Sequence, residues 1–216
     1  MPLLTKGFST TILITLVSLL IALVLGLLSC LMGISKIKPL NWINKFYIWI
    51  IRGTPILVQT FFIYFGLPQA MQQLGADFRL TPFSAGVITL SLNAGAYISE
   101  IFRGGIQAVN KGQMEAALMS ALTPAQAIRL IILPQVVYVA LPNFGNMLIA
   151  LIQESSLAYL IGVVDVMGQA KIIDNMSYGA HIIEIYFAVS LLYWLLSLVT
   201  GKCVDLLSGK MGKVLG

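Results

Sequence analysis

Charge is what this sequence has least of. Asp, Glu, Lys and Arg make up only 10% of its 216 residues, against 58% hydrophobic. So few ions cannot clothe a water-soluble surface, and the composition places the chain in a bilayer. Histidine and cysteine are scarce as well: His181 is alone, and Cys30 and Cys203 are the two cysteines. Both cysteines fall near the ends of apolar runs and the loops have none, so neither a disulfide framework nor a metal site is suggested. HExxH, GxSxG and closely spaced paired carboxylates are all missing. A phosphate loop is missing too, because Gly201-Lys202-Cys203 and Gly209-Lys210-Met211 lack the upstream Gly and the following Ser or Thr. The sequence therefore reads as no enzyme, with no cofactor of its own, and any energy source must lie in another subunit.

What is there is long apolar sequence. A helix needs about 20 apolar residues to cross the hydrocarbon. Charged residues are absent between Lys6 and Lys36, Arg52 and Asp77, Arg79 and Glu100, Arg129 and Glu154, and Glu184 and Lys202. These intervals predict about five transmembrane helices in an all-α integral membrane protein, as one domain over 1–216. The last span can extend from His181 to Leu207 if its charged ends snorkel. Ser156 to Val166 is apolar but short, and reads as a partial or re-entrant helix, or as a surface helix. The first span is too long for a signal-peptide core and is not followed by a small-x-small site, so we expect it to be uncleaved.

A five-span arrangement puts Lys36, Lys38, Lys45, Arg52, Arg103, Lys111, Arg129, Lys202, Lys210 and Lys213 on one side. Lys6, Arg79 and Lys171 fall on the other. By the positive-inside rule the N-terminus faces outward and the C-terminus lies in the cytoplasm. The net charge of +5 is thus a topology signal that requires no nucleic acid. Trp42, Phe46, Tyr47 and Trp49 beside Lys45 have the look of an amphipathic helix lying in the inner interface. After it, Thr54-Pro55 reads as a helix start behind the anchor Arg52.

Between the third and fourth spans the composition changes to Ala, Gln and Ser. Asn110 can cap a helix, with Gln113 placed to reach back to it. Thr123-Pro124-Ala125-Gln126 repeats the device: Thr caps, Pro takes the first helical position, and Gln closes a capping box. The segment is thus two helices with a boundary at 122–123. On the first, Ala116, Ala117, Ser120 and Ala121 share an arc beside a ridge of Met114, Leu118 and Leu122. A small-residue arc lets another surface approach the backbone. It can pack on the chain's own cytoplasmic face or receive a foreign subunit.

Glu115-Ala116-Ala117, position 121 and Ile131-Ile132-Leu133-Pro134 resemble the EAA loop of ABC importer permeases in spacing as well as composition. The branch for polar amino acid uptake is similar at Ile51-Arg52-Gly53-Thr54-Pro55 with Gln59. It is similar again at Ser91-Leu92-Asn93, Ala96-Tyr97, Glu100, Arg103-Gly104-Gly105-Ile106 and Glu154-Ser155, covering about residues 7 to 207. The resemblance implies the type I ABC importer transmembrane fold in a multi-pass bacterial inner-membrane protein. The coupling loop, about 110–134, would dock through Glu115, Ala116, Ala117, Ser120 and Ala121. Implied partners are a dimer of cytoplasmic ATP-binding subunits that bind ATP and Mg, a second permease, identical or related, and an extracytoplasmic solute-binding protein. Amino acid substrate and membrane lipid complete the set. One position departs: the family's Gly is Ala121. Ala favours continuing the helix by about 1 kcal/mol, so the turn is expected to shift to Leu122–Thr123.

For the substrate path, Glu154 stands out as a carboxylate that ends an apolar span and is followed by more apolar sequence. Intramembrane carboxylates are expensive and face cavities or partners. Glu154 could meet an ammonium, or serve a structural ion pair or sit at the outer interface. Asn93, with Tyr97 nearby and Gly95 leaving room for a neighbouring backbone, could bond a zwitterion or glue helices together. Ser155 adds a hydroxyl that could instead bond its own backbone. Glu100, three residues before Arg103, fits an intrahelical pair. Asp165, Gln169 and Asp174 read as solvated outer-loop residues, which could also touch the binding protein. The alternative function is an ion-coupled secondary transporter, which would be expected to show paired intramembrane ions and often an internal repeat; neither is seen. The chain reconstituted alone should therefore accumulate no amino acid on an ion gradient, and accumulation without any ATPase would contradict the importer reading.

Overall fold

The computed structural model describes residues 2–215, and secondary structure among them is helical throughout. Helix α1 (Pro2–Ile34) is apolar on all sides. Helix α2 (Lys38–Gly53) is amphipathic and ends at Thr54-Pro55. There the chain bends by 107° into Ile56–Gln73, because Pro55 can neither donate to the helix behind it nor leave Thr54 helical. That second limb is built from α3 (Ile56–Phe61), a π turn (Phe62–Gly66) and α4 (Leu67–Gln73). Among the described residues four helices are long and apolar enough to cross a membrane, and five spans are reached if the bent pair counts as one, in line with the charge-free intervals. Trp42, Phe46 and Trp49 are exposed along α2.

Helix α5 (Pro82–Ala108) starts at Thr81, whose hydroxyl accepts from the Ser84 amide at 3.1 Å. A hairpin follows: α6 (Lys111–Met119), then α7 (Pro124–Ala127), which runs through a π turn (Ile128–Ile132) into α8 (Leu133–Glu154). Both π turns end two residues before a proline, Pro68 and Pro134. The proline ring crowds the carbonyl four residues back and removes one amide, and a wider turn absorbs both. Past Glu154 the chain tightens into a 3-10 segment, Ser155–Ile161, which ends at left-handed Gly162 (φ 97°). This is the apolar segment left open between re-entrant and surface helix, and it continues α8 without a break. Helix α9 (Val166–Met176) leads to α10 (Ile182–Leu215).

The core lies where α5 crosses α1 and α8, around Ile14, Ala22, Ile98 and Leu151. Glycine permits the closest approach. A Cβ at Gly26 would stand 2.5 Å from Ile98 Cγ2, and one at Gly95 would stand 3.1 Å from Leu25 Cβ. Small hydroxyls finish the contact: Ser91 donates to the Ser18 carbonyl at 3.3 Å. A second cluster, Leu4, Val166, Ala170, Ile185 and Val189, joins α1, α9 and α10.

The solvated-loop reading of Asp165 and Asp174 fails here. Both are buried, Asp165 at the start of α9 and Asp174 within it, and α9 is a helix too short and polar to stand out in the hydropathy pattern. Asp165 caps α9, accepting from the Gly168 amide at 2.8 Å and from the Tyr193 hydroxyl at 3.2 Å. Asp174 accepts from Lys171 at 3.0 Å. Burial pushes the Asp165 carboxyl up from 3.8 to about 6, against the hydrogen bonds that hold it down. A carboxyl with a raised folded pKa is best tolerated when protonated, so its contribution is present below its ordinary pKa and is lost as pH rises through about 6. The loss amounts to about 3 kcal/mol. Asp165→Asn keeps a capping oxygen without the charge. Its advantage in melting temperature over the native protein should grow between pH 5 and pH 8, and a gap equal at both values would contradict this account.

Candidate substrate path and coupling hairpin

Helices α5 and α8 face each other across a cavity of about 400 Å³. Asn93, Tyr97 and Ile101 follow one another at intervals of four on α5, while Asn143, Met147, Ala150 and Glu154 run at three and four on α8. Each set is one face of its helix. Glu154 is half-buried at the cavity wall and has no ion-pair or hydrogen-bond partner among the described residues. The structural ion pair considered for it from sequence is therefore not formed among the described residues of this subunit. Asn93 is buried, with its Nδ2 donating to Gln59 Oε1 at 3.1 Å.

Three of the four sequence candidates thus share one cavity. Ser155 does not join them: it is buried away from the cavity, and its hydroxyl donates to the Ile152 carbonyl at 2.7 Å. Asn143 and Asn146 line the same wall and were not singled out from sequence. Counting back from Glu154 by helical steps would have found Asn143, the residue eleven earlier and so three turns below on the same face.

Below this cavity lies a second of about 340 Å³, bordered by Arg52, Glu100 and Gly104, and Tyr97 and Asn143 line both. Arg103 grips Glu100 through two bonds, Nε to Oε1 at 2.8 Å and Nη2 to Oε2 at 2.6 Å. That is the intrahelical pair expected from their spacing. Arg52 comes within 3.5 Å of the same carboxylate and lies 5.3 Å from the centroid of the Tyr97 ring, a cation–π distance.

In the hairpin, Asn110 caps α6 by accepting from the Gly112 amide at 2.8 Å, and Thr123 and Gln126 form the capping box expected for α7. Ala117 is buried within the hairpin, whereas Glu115, Ala116, Ser120 and Ala121 are exposed together and Met119 projects almost fully. The expected displacement of the turn does not occur. Ala121 itself adopts the left-handed conformation, φ 60°. Its amide donates to the Leu118 carbonyl at 3.1 Å, and that of Leu122 to the Ala117 carbonyl at 3.2 Å. Those two bonds are a Schellman motif. Satisfying the last carbonyls of α6 outweighs the preference of Ala for the helix, so the turn stays where the family places its Gly.

Residues 22–213 match the family described as the inner membrane component of binding-protein-dependent transport systems. The chain belongs to this family. It is 37% identical over 214 residues to a probable amino-acid permease, YxeN, of Bacillus subtilis, covering 98% of this chain and 92% of that one. It is 41% identical over 194 residues to the L-cystine transport system permease TcyL of the same organism (89% and 80%). With the glutamine transport system permease GlnP of Escherichia coli it shares 38% over 210 residues (97% and 93%). A solved amino acid ABC transporter with histidines superposes with a TM-score of 0.86 at 37% identity, covering 97% of this chain and 94% of that one. The fold is the type I importer transmembrane fold, and the chain is a multi-pass permease subunit of the bacterial inner membrane, not an enzyme. Membership in a binding-protein-dependent family sets aside the ion-coupled alternative.

Holding Ala left-handed costs about 1 kcal/mol relative to Gly. Ala121→Gly should raise the protection of the 120–122 amides against hydrogen exchange by about fivefold, the equivalent of that energy, and leave the rest of the chain unchanged. Unchanged or reduced protection would contradict the Schellman geometry.

Proposed function

We propose that this permease forms half of the path by which a polar amino acid is imported at the expense of ATP, with Glu154 as the anchor for the substrate's positive end. The observation that carries this reading is the carboxylate itself: unpaired, set in an apolar wall, and aimed at a cavity shared with Asn93, Tyr97, Asn143 and Asn146. A charge in such a place is retained where a ligand completes it. Carboxamides beside it can donate to a ligand carboxylate or accept from its amines, and these are the groups a zwitterion brings. Ser155 supports Glu154 from behind by fixing the change from α-helix to 3-10 helix, and does not touch the substrate.

The second wall of the path comes from a second permease, identical or related, because α8 and α10 leave most of their apolar surface uncovered. The N-terminus lies outside and the C-terminus in the cytoplasm. Lys45, Arg52 and Arg103 gather at one end of the helices, around Asn44 and Glu100, which suits the inner face. At that face Glu115, Ala116, Ser120 and Ala121 form the docking edge of the hairpin, with Ala117 packed inside it. Met119 and Leu118 fill a groove of a cytoplasmic ATP-binding subunit. Two such subunits bind ATP and Mg, and their closure moves the hairpin. An extracytoplasmic solute-binding protein delivers the amino acid to the other face.

In the importer reconstituted with its ATPase and binding protein, Glu154→Gln should raise the KM for uptake by about 10- to 100-fold, the loss of one charge-assisted hydrogen bond. Native kinetics would leave Glu154 without a substrate role. Glu115→Lys at the exposed hairpin should lower ATPase association or the amino acid moved per ATP, and unchanged values of both would remove the docking edge from the account.

A further inference from the structure

The bend between α2 and α3 leaves carbonyls that no helix can satisfy, since Pro55 carries no N–H. Gln59 is buried beneath that bend. Its Nε2 donates to the Ile51 carbonyl at 2.8 Å, and also reaches the Thr54 carbonyl at 3.0 Å and the Thr54 hydroxyl at 2.9 Å. Backbone carbonyls only accept, so the nitrogen of this amide must face the bend and its oxygen must face the other way. The oxygen meets Asn93, which therefore has to present Nδ2, at 3.1 Å. The orientation of Asn93 is fixed in turn: with one N–H of its amide committed to Gln59, its oxygen is turned away from Gln59 and is free to accept in the cavity it lines. Glu154 and Asn93 thus each offer an acceptor, which is what an ammonium group requires.

The other side of the bend leads to Arg52, the residue after Ile51, over Tyr97 and beside Glu100. Tyr97 belongs to both chambers, so Arg52 stands at their junction. We infer that Gln59 is a positioning residue with two outputs: it holds Asn93 as an acceptor toward the substrate's ammonium group, and it ties that amide to the bend that sets Arg52 at the junction. The inference rests on the reading of the cavity as the substrate path. Drawing the Asn93 amide toward a ligand loads its bond to Gln59, the side chain whose other end steadies the bend. Occupancy of the upper chamber is thereby linked to the position of the Arg52 guanidinium below it.

The test uses the complete importer in proteoliposomes with its ATPase and binding protein, measuring uptake and ATP hydrolysis together. Gln59→Leu should raise KM about tenfold by letting the Asn93 amide turn over, and should raise ATP hydrolysed per amino acid moved. Adding Asn93→Asp to Gln59→Leu should restore KM, because a carboxylate presents oxygen in either orientation. It should leave the excess hydrolysis, because the bend stays unlatched. A native KM in Gln59→Leu, or a KM that Asn93→Asp does not restore, overturns the inference. So does recovery of KM and coupling together. If Gln59→Leu does not assemble, Gln59→Met, closer to glutamine in length, carries the same comparison; failure of both to assemble would make Gln59 structural and overturn the proposal. Asn93→Ala and Glu154→Gln separate the two levels. If both raise KM and Gln59→Leu does not, only the role of Gln59 falls; if neither does, the cavity reading falls and takes this inference with it.

Discussion

Everything in the subunit depends on how closely α5 can approach α1. Inside a membrane, water exclusion contributes little to helix association, and packing at small residues has to do the work. Gly26 and Gly95 open the space, and Ile98 and Leu25 fill it. With α5 held by that face, Asn93, Tyr97 and Glu100 are left on the face that turns to α8 and to the bend after α2. The cavity between α5 and α8 follows from the glycine contact on the opposite side of the same helix. Tyr47 strengthens the arrangement by donating to the Leu92 carbonyl at 2.6 Å, which ties the interfacial helix α2 to α5 one residue before Asn93.

Polar groups in the interior fall into two kinds. Ser18 and Ser91 bond to backbone carbonyls across the α1–α5 contact, and Thr60 and Thr89 to carbonyls of their own helices. Gln59, Asn93 and Arg52 instead reach side chains of other elements, and Glu154 bonds to none of them. Satisfied groups rigidify a site, and the unsatisfied one waits for a ligand. The cavity joins a fixed acceptor, Asn93, to an unpaired carboxylate, Glu154, and the proposed substrate role rests on that contrast.

The spans, their number and the caps of the hairpin were legible in the sequence because each rests on local chemistry: charge-free length, Thr-Pro at a helix start, Gln three residues after a cap. Glu154, Asn93 and Tyr97 could be singled out by the cost of polarity in a membrane, and the structure brings them to one cavity. Asn143 and Asn146 escaped because a polar residue on α8 gains meaning only when the facing helix is known. Ser155 adjoins Glu154 in sequence, but one residue on a helix turns a side chain through about 100°, away from the cavity. Asp165 and Asp174 looked solvated because α9 is covered by α10 and by α1, the latter far away in the chain. Ala121 shows local propensity losing to hydrogen bonding: two satisfied carbonyls hold an Ala where Gly would be easier.

The central claim is that the substrate's ammonium group meets Glu154 and Asn93. An experimental structure of the assembled importer with its amino acid bound tests it most directly. The account predicts the ammonium nitrogen at hydrogen-bonding distance, about 2.7–3.2 Å, from both the Glu154 carboxylate and Asn93 Oδ1. A substrate resting elsewhere in the path, with Glu154 paired to a residue of the second permease, would contradict it.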